Sequence, residues 1–328
     1  MSVFNNTTEG ADVQGSSLQS WGWVEIHKMI FAITGVVGNS LVCAVFVRFP
    51  KLRTITNHFL VSLAVADLIT SFLIVPIPIP SKAPEGFTGQ FYCRFVWSNF
   101  FLWVCLKASV FNLVAVTVER YYALTHPGKY GRLFSRNRTK LTIALVWIFA
   151  VLFNGFIPFV IGVDERKSRC VIIRTHTSFE GVYGVVIMTV TYFIPITTII
   201  VVYTRIFVSL KRQARVLNHQ LAKNGPAMSL LRARRKVVKT LFLVVMIFTL
   251  CWAPDQVCYL LFSLGFYPDY HRSLVFQIFV SLAFFNSCVN PIIYGLRNKQ
   301  IRKGYKSLFM KESVSDLEAD TNGFPSRI

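Results

Sequence analysis

Seven long apolar stretches, separated by short polar segments, dominate the pattern of the chain. They cover approximately residues 26–47, 57–79, 95–118, 140–162, 182–204, 237–262 and 274–296. An α-helix needs about 20 apolar residues to cross the hydrocarbon core of a membrane. The pattern therefore predicts an all-α membrane protein, a bundle of seven transmembrane helices. The composition agrees, because 53% of the residues are hydrophobic and only 15% are charged, well outside the usual soluble profile.

The polar segments on the two sides of the predicted bundle differ sharply in charge. One side holds 25 of the 35 Lys and Arg residues, whereas the other side holds eight basic and eight acidic residues. Lys and Arg in short loops stay on the cytoplasmic side, so we expect the amino terminus to lie outside the cell. The net charge of +20 then reflects topology and attraction to the inner membrane leaflet, and it does not indicate binding to nucleic acid.

The chain divides into four regions by composition. Residues 1–24 form a polar outer segment, in which Asn5 and Asn6 begin two overlapping glycosylation sequons. Residues 25–297 contain the bundle. Residues 298–309 have one apolar face opposite several cations, which predicts an amphipathic helix on the inner surface and contact with membrane lipids. Residues 310–328 are polar and predicted to be a disordered cytoplasmic tail.

Two of the seven cysteines lie on the predicted outer side. Cys93 precedes the third apolar stretch and Cys170 follows the fourth, whereas the other five fall within apolar stretches. Disulfides form in oxidising compartments such as the cell exterior. We therefore predict a disulfide between Cys93 and Cys170.

Several ionisable residues stand within or beside the apolar stretches, where a charge costs at least ~3 kcal/mol and usually marks function. Asp67 needs a polar partner or a hydrated ion, and Glu119 can neutralise Arg120 locally. Counting helical positions at about 100° per residue places Ser109 on the face of Arg120 and Lys107 on a flank.

Taken together, these features resemble the rhodopsin-like family of G-protein-coupled receptors over residues 25–309. The matching motifs, one or more in each stretch, are Gly38-Asn39, Leu63-Ala64-Val65-Ala66-Asp67, Glu119-Arg120-Tyr121, Trp147, Pro195 with Tyr203, Cys251-Trp252-Ala253-Pro254 and Asn290-Pro291-Ile292-Ile293-Tyr294. The resemblance implies a plasma-membrane receptor that activates heterotrimeric G-proteins, with arrestin and a receptor kinase as further partners. One departure is that Cys93 lies 27 residues before Arg120, two more than is usual in the family.

The resemblance also implies an allosteric sodium ion in the middle of the bundle and no other cofactor. The ion would lie beneath Trp252, and oxygen ligands with one carboxylate suit such a hard cation. The alternative is a hydrogen-bonded polar core without an ion. The residues carried over to this site are Asp67, Ser109, Asn286, Asn290 and Trp252.

A second implied site couples the receptor to the G-protein. Many relatives hold the family arginine with an acidic residue on the sixth helix, where this chain has Arg234, which would repel Arg120. We therefore expect the Glu119–Arg120 pair alone to hold the resting state, with appreciable ligand-free signalling. The residues implied in coupling and switching are Glu119, Arg120, Tyr121, Tyr203, Arg234, Trp252, Pro254, Asn290, Pro291 and Tyr294.

The predicted ligand pocket is aromatic and apolar around two charges. Its residues are Leu102, Trp103, Leu106, Lys107, Asp255, Tyr259, Phe276 and Val280. Lys107 and Asp255 either pair with each other or contact the ligand. Amine receptors of the family carry an aspartate where this chain has Leu102, which disfavours an amine. His126-Pro127, the proline-rich second stretch and the short charged outer segments resemble the peptide-receptor branch and imply a neuropeptide ligand, with a lipid or an amine as the alternatives.

Rival classes of function have weaker support in the sequence. A transporter should show internal repeats or paired broken helices, and a pump should show a chain of acidic groups, of which we find only Asp67 and Asp255 inside the stretches. The histidines lie in loops or at stretch ends without metal-ligand spacing. We predict that the protein is not an enzyme and holds no metal besides sodium.

Overall fold

The computed structural model describes residues 22–77, 80, 82–173, 177–220, 226–297 and 299–309. Its regular elements, in chain order, are α1 (Trp23–Arg48), α2 (Ile55–Leu73), α3 (Gly86–Phe91), α4 (Phe100–Thr125), α5 (Pro127–Leu133), α6 (Arg136–Asn154), α7 (Ile157–Val160), β1 (Ile161–Asp164), β2 (Arg169–Ile172), α8 (Thr177–Met188), α9 (Ile194–Gln220), α10 (Pro226–Ser263), α11 (Leu274–Arg297) and α12 (Lys299–Phe309).

Seven helical segments within the described ranges are long and apolar enough to cross a membrane, which confirms the predicted bundle. We call them the first to seventh spans: Trp23–Arg48, Ile55–Leu73, Gly86–Thr125, Arg136–Val160, Gly181–Val216, Val238–Ser263 and Leu274–Arg297. The third and fifth spans extend well beyond the predicted stretches, because their ends carry polar residues that an apolar pattern leaves out. The predicted sites Asn5 and Asn6, and the tail 310–328, lie outside the described residues.

The second span is shorter than the apolar pattern predicted. The pattern extends to residue 79, but α2 ends at Leu73. Pro76 follows within one turn, and proline lacks the N–H that a helix interior needs. A proline also disfavours helical conformation in the residue before it. The helix therefore stops before the prolines.

The third span contains an irregular segment next to Cys93. Residues Tyr92–Trp97 wind as a π-helix, and Asn99 has a left-handed φ of 55°. A π turn accommodates an extra residue within a helix, and asparagine tolerates left-handed conformation better than most residues. We infer that this segment takes up the additional residues between Cys93 and Arg120.

A short antiparallel hairpin, which the sequence pattern did not reveal, covers one end of the bundle. Strands β1 and β2 pair with Val163 opposite Cys170. Cys170 forms the predicted disulfide with Cys93, with the two Cα atoms 5.3 Å apart. We call this end of the bundle the hairpin end, and the opposite end, where α5 follows the third span, the α5 end.

Polar side chains join the spans inside the apolar core. Asn39 in the first span donates to the carbonyl oxygen of Ser287 in the seventh span at 3.0 Å. Trp147 in the fourth span donates to the hydroxyl of Ser62 in the second span at 3.0 Å. Each bond satisfies a buried polar group, which is costly to leave unpaired in a low-dielectric interior, and so each bond fixes the register of two spans.

The amphipathic helix α12 follows the seventh span and packs back on the bundle. Ile301 is buried, and a Cβ at Gly304 would lie only 2.6 Å from a methyl group of Val45. The close approach therefore requires glycine at this position. Arg302 and Lys303 are exposed on the opposite face, as the pattern over 298–309 predicted.

Candidate functional site

Glu119 is the centre of a buried hydrogen-bonded cluster at the α5 end. Its side chain is 0% exposed. Arg120 donates to it from Nε at 2.8 Å and from Nη2 at 3.3 Å. The hydroxyl of Thr56 lies 3.0 Å from both carboxylate oxygens, and the hydroxyl of Tyr130 donates at 2.6 Å. We call these four residues the Glu119 cluster.

Local sequence explains how Thr56 and Tyr130 reach Glu119. Thr56 lies in the first turn of α2, whose start is fixed by the N-cap Thr54. Tyr130 lies in α5, which begins at Pro127, a residue favoured at the first helical position. Two separate helix starts therefore bring hydroxyl donors to the end of the third span.

The cluster satisfies a carboxylate that would otherwise be strongly destabilising. An unpaired charge in the protein interior costs several kcal/mol, whereas a hydrogen bond to a charged group contributes about 1.5–3 kcal/mol. Burial raises the pKa of the Tyr130 phenol above its usual range, and the charge of Glu119 raises it further. Tyr130 therefore remains a protonated donor at physiological pH.

The sequence pointed to the Glu119–Arg120 pair but not to Thr56 or Tyr130. Arg120 and Glu119 form this ion pair, with Nε of Arg120 2.8 Å from a carboxylate oxygen of Glu119. The proline that starts α5 was a signal that a helix follows the third span, although nothing in the sequence showed the helix docking on Glu119. The side chain of Arg234 lies outside what the structure describes, so its predicted repulsion of Arg120 stays a prediction.

The three tyrosines predicted for coupling lie in different environments. Tyr203 and Tyr294 are both buried, and neither hydroxyl has a hydrogen-bond partner among the described residues. The ring of Tyr203 packs against Phe242 of the sixth span, with ring centroids 5.8 Å apart. Tyr121 is half-buried against Tyr122. A buried hydroxyl that lacks a hydrogen-bond partner costs free energy, which any rearrangement that pairs the hydroxyl recovers.

Asp67 organises a second buried cluster in the middle of the bundle. Its side chain is 0% exposed. Ser109 of the third span donates to it at 3.0 Å, and the amide of Asn290 in the seventh span donates at 2.8 Å. Asn286 lies one turn before Asn290 on the same face of α11. The structure therefore joins Asp67 to Ser109 and Asn290, two of the residues that the sequence grouped around it.

This cluster has unpaired oxygen atoms next to a carboxylate, an arrangement that fits a sodium ion. Within the described chain, the side-chain oxygens of Asn286, Ser287 and Asn290 are buried and lack hydrogen-bond donors. Oxygen atoms with one carboxylate are the ligands that a hard cation prefers. Ser287, which the sequence prediction omitted, belongs to this set. We call Asp67, Ser109, Asn286, Ser287 and Asn290 the Asp67 cluster.

Asp255, in the sixth span toward the hairpin end, is held by neighbours that the sequence did not predict. The hydroxyl of Tyr270 donates to it at 2.9 Å and the amide of Gln256 donates at 3.3 Å. Tyr270 lies in the segment between the sixth and seventh spans and is 0% exposed. Gln256 also accepts from Thr191 of the fifth span at 3.2 Å. Asp255 thus ties together the sixth span and the loop that follows it.

Lys107 is buried in the third span and forms no ion pair within 4 Å among the described residues, although the charge of Asp255 acts on it. It is 4% exposed, and its ammonium lies 5.6 Å from the ring centroid of Trp252 and 6.0 Å from that of Trp103. Cation–π contacts contribute about 0.5–2 kcal/mol, whereas an uncompensated buried ion costs several kcal/mol. The rings therefore offset only part of the cost. Lys107 and Asp255 make no ion pair within 4 Å, but their charges interact, so a pairing of the two stays a prediction.

The other residues of the predicted pocket lie around these two charges. Leu102 and Leu106 are buried in one apolar cluster with Trp252, and Val280 packs against it. Phe276 packs against Tyr270 with ring centroids 5.3 Å apart, and Tyr259 packs against His271 at 6.0 Å. Pro254 and Pro291 both lie inside helices, α10 and α11.

Comparison with known proteins identifies this arrangement. Residues 38–294 match the model of the "7 transmembrane receptor (rhodopsin family)". The chain belongs to this family. It is therefore a G-protein-coupled receptor and a multi-pass protein of the plasma membrane, and the predicted absence of enzymatic function agrees with a family of receptors.

Individual relatives resemble this chain over most of their length. The melatonin receptor type 1B-B of Danio rerio is 31% identical, over 90% of this chain and 84% of its own. The substance-P receptor of Homo sapiens is 30% identical, over 94% and 75%. The neuromedin-U receptor 2 of Rattus norvegicus is 34% identical, over 87% and 74%.

Proposed function

We propose that this receptor is activated by an extracellular peptide at its hairpin end and transmits the signal to a heterotrimeric G-protein at its α5 end. The amino terminus and the disulfide face outward in this proposal, since the Lys and Arg residues concentrate on the opposite side. Arrestin and a receptor kinase would act at the same inner side.

The observation that carries the proposal is that two buried polar sites, one around Lys107 and Asp255 and the other around Glu119, lie toward opposite ends of the bundle on helices that run from one end to the other. The third span holds Lys107 toward the hairpin end and Glu119 at the α5 end, about 20 Å apart at 1.5 Å per residue. In the sixth span, Asp255 lies almost one helical turn closer to the hairpin end than Trp252. A ligand can favour an active arrangement only through tighter binding to it, and these helices link such binding to the Glu119 cluster.

The peptide class rests on two supports. Relatives of this chain include receptors named for substance P and neuromedin U. Leu102 also stands where amine receptors of the family carry an aspartate, which disfavours an amine. A small indole ligand remains the second candidate, because another relative is a melatonin receptor.

The test is G-protein activation in cells that express the chain, challenged with fractionated extract from its source tissue before and after protease digestion. We expect digestion to abolish the response. A response that survives digestion would refute the peptide proposal and favour the small-ligand candidate. Untransfected cells treated with the same fractions provide the control.

We further propose that the resting state depends on the Glu119 cluster, with no acidic partner for Arg120 from the sixth span. Arg234 stands where many relatives have that acid. Replacing it, Arg234→Glu, should supply the missing partner and lower ligand-free signalling by about tenfold, the equivalent of one ion pair of ~1.4 kcal/mol. Unchanged signalling at equal surface expression would contradict this.

A further inference from the structure

Two hydrogen-bond donors converge near the middle of the third and sixth spans, and neither has an acceptor within the described chain. One is the ammonium group of Lys107, which is 4% exposed and makes no hydrogen bond and no ion pair within 4 Å there, although the charge of Asp255 acts on it. The other is the indole Nε1 of Trp252, which is buried without a partner. The ammonium lies 5.6 Å from the centroid of that same indole ring. The two unsatisfied donors therefore belong to one site.

The chemistry of these donors specifies what would satisfy them. A buried cation is stabilised by an anion that also accepts hydrogen bonds, and a carboxylate does both with its two oxygens. Buried donors of this kind reject a ligand that lacks the matching acceptor. The surrounding side chains, which include Trp103, Leu102 and Leu106, are aromatic or aliphatic and suit an apolar group next to the carboxylate.

Asp255 is a carboxylate of this chain whose charge acts on Lys107, but it forms no ion pair with Lys107 within 4 Å. Asp255 is occupied by Tyr270 at 2.9 Å and by Gln256 at 3.3 Å. These bonds direct Asp255 toward the loop before the seventh span. Both oxygens of Asp255 already accept hydrogen bonds, whereas the ammonium of Lys107 donates none within the described residues. The unfilled hydrogen-bonding capacity therefore favours an acidic ligand group over a basic one.

We propose that the agonist presents a carboxylate to Lys107 and to the indole N–H of Trp252. This inference rests on the proposed function, an extracellular peptide ligand, and it names the part of the peptide that enters deepest. The carboxylate comes from either a free peptide C-terminus or an acidic side chain. Binding at this point acts on Trp252 directly, since the ammonium that receives the carboxylate lies over the Trp252 ring.

The test measures thermal stabilisation of the purified receptor by three small probes at millimolar concentration. N-acetyltryptophan carries a terminal carboxylate, N-acetyltryptophanamide is its uncharged match, and N-acetylglutamate α-amide carries a side-chain carboxylate. A probe that binds the folded state raises the melting temperature according to its affinity. We expect N-acetyltryptophan or N-acetylglutamate α-amide to bind at least about tenfold more tightly than the uncharged amide, and the better acid identifies the source of the carboxylate.

Variants decide whether Lys107 is responsible. Lys107→Met keeps the apolar stem and removes the charge, and it should abolish the preference for an acid. Trp252→Phe removes only the N–H donor and should reduce the preference several-fold, which provides a second reading if Lys107→Met does not fold. Asp255→Asn removes the negative charge that acts on Lys107 and should strengthen the preference for an acid.

Three results would overturn the proposal: equal binding of acid and amide, binding of neither acid, or a preference that survives Lys107→Met. The assay contains no G-protein and no tissue extract. Its failure would therefore leave the protease experiment unaffected, and a protease-resistant agonist would refute the peptide proposal without altering the probe result.

Discussion

Removing the hydroxyl group of Tyr130 tests whether the Glu119 cluster restrains the receptor. In Tyr130→Phe the ring remains stacked on Phe134, and only the 2.6 Å hydrogen bond to Glu119 is lost. Hydrogen bonds to a charged group contribute about 1.5–3 kcal/mol. We expect a loss of ~1.4 kcal/mol, just below this range, because Glu119 keeps Thr56 and Arg120 as donors.

If the bond exists only in the resting state, its loss shifts the population toward the active state. A change of ~1.4 kcal/mol corresponds to tenfold in an equilibrium constant. While the resting state predominates, ligand-free G-protein activation should therefore rise about tenfold. The measurement is G-protein turnover without agonist, in cells matched for surface receptor.

A matched control is available at the same end of the third span. Tyr122→Phe removes the same group from a ring that packs on Phe134 and His126 and has no bond to Glu119 within the described residues. Its ligand-free activity should stay at the level of the unmodified receptor. An equal rise in both variants, or no rise in Tyr130→Phe, would refute the restraining role of the Tyr130 bond.

Three further predictions concern the other polar sites. Replacing potassium by sodium at constant ionic strength should stabilise the folded receptor by ~1.4 kcal/mol when sodium is at about ten times its dissociation constant, measured as a higher melting temperature. Asp67→Asn should abolish the effect, and an absence of any sodium effect would favour the polar core without an ion. Tyr270→Phe should lower the free energy of unfolding by about 2 kcal/mol, because Asp255 loses a buried donor. The effect of Tyr270→Phe should be smaller in the presence of Asp255→Asn, and strictly additive effects would contradict an interaction between the two residues. Burial among aromatic rings lowers the pKa of His271 from 6.5 to about 3. Between these two values only the unfolded state binds the proton, so the free energy of unfolding should fall as the pH drops from 6.5 toward 3, by up to ~1.4 kcal/mol per pH unit. The melting temperatures at neutral pH and at pH about 5 should therefore differ less for His271→Phe, and an unchanged difference would show that His271 does not cause this loss of stability.

The apolar pattern predicted the architecture well because the membrane imposes it. A spanning segment must satisfy its own backbone hydrogen bonds, so seven apolar stretches leave few alternatives to seven helices. The Cys93–Cys170 disulfide was predictable for a similar reason, since the remaining cysteines fall inside the spans. Helix ends were harder to predict, and the second span ends at Leu73 because of prolines that an apolarity pattern does not weigh.

Partners of buried charges were the least predictable part of the site. Thr56, Tyr130 and Tyr270 approach Glu119 and Asp255 from other helices or from a loop. Helical periodicity relates residues within one helix only, and it does not specify how α5 or the Tyr270 segment docks. Tyr270 illustrates the limit, because a tyrosine in a polar loop gives no sign that it is fully buried.

Lys107 and Glu119 are both buried in one helix, yet their surroundings suit them to different tasks. Glu119 is satisfied by three donor side chains of the protein itself, so the receptor must break bonds to release it. Lys107 has two aromatic rings and no acceptor in the described chain, so it is stabilised by whatever molecule supplies one. Agonist potency should therefore depend on Lys107, and ligand-free activity should depend on Glu119. Because about 20 Å separates the two residues along the helix, variants at the two sites should have additive effects on stability, and coupling should be seen only when an agonist links them by shifting the population.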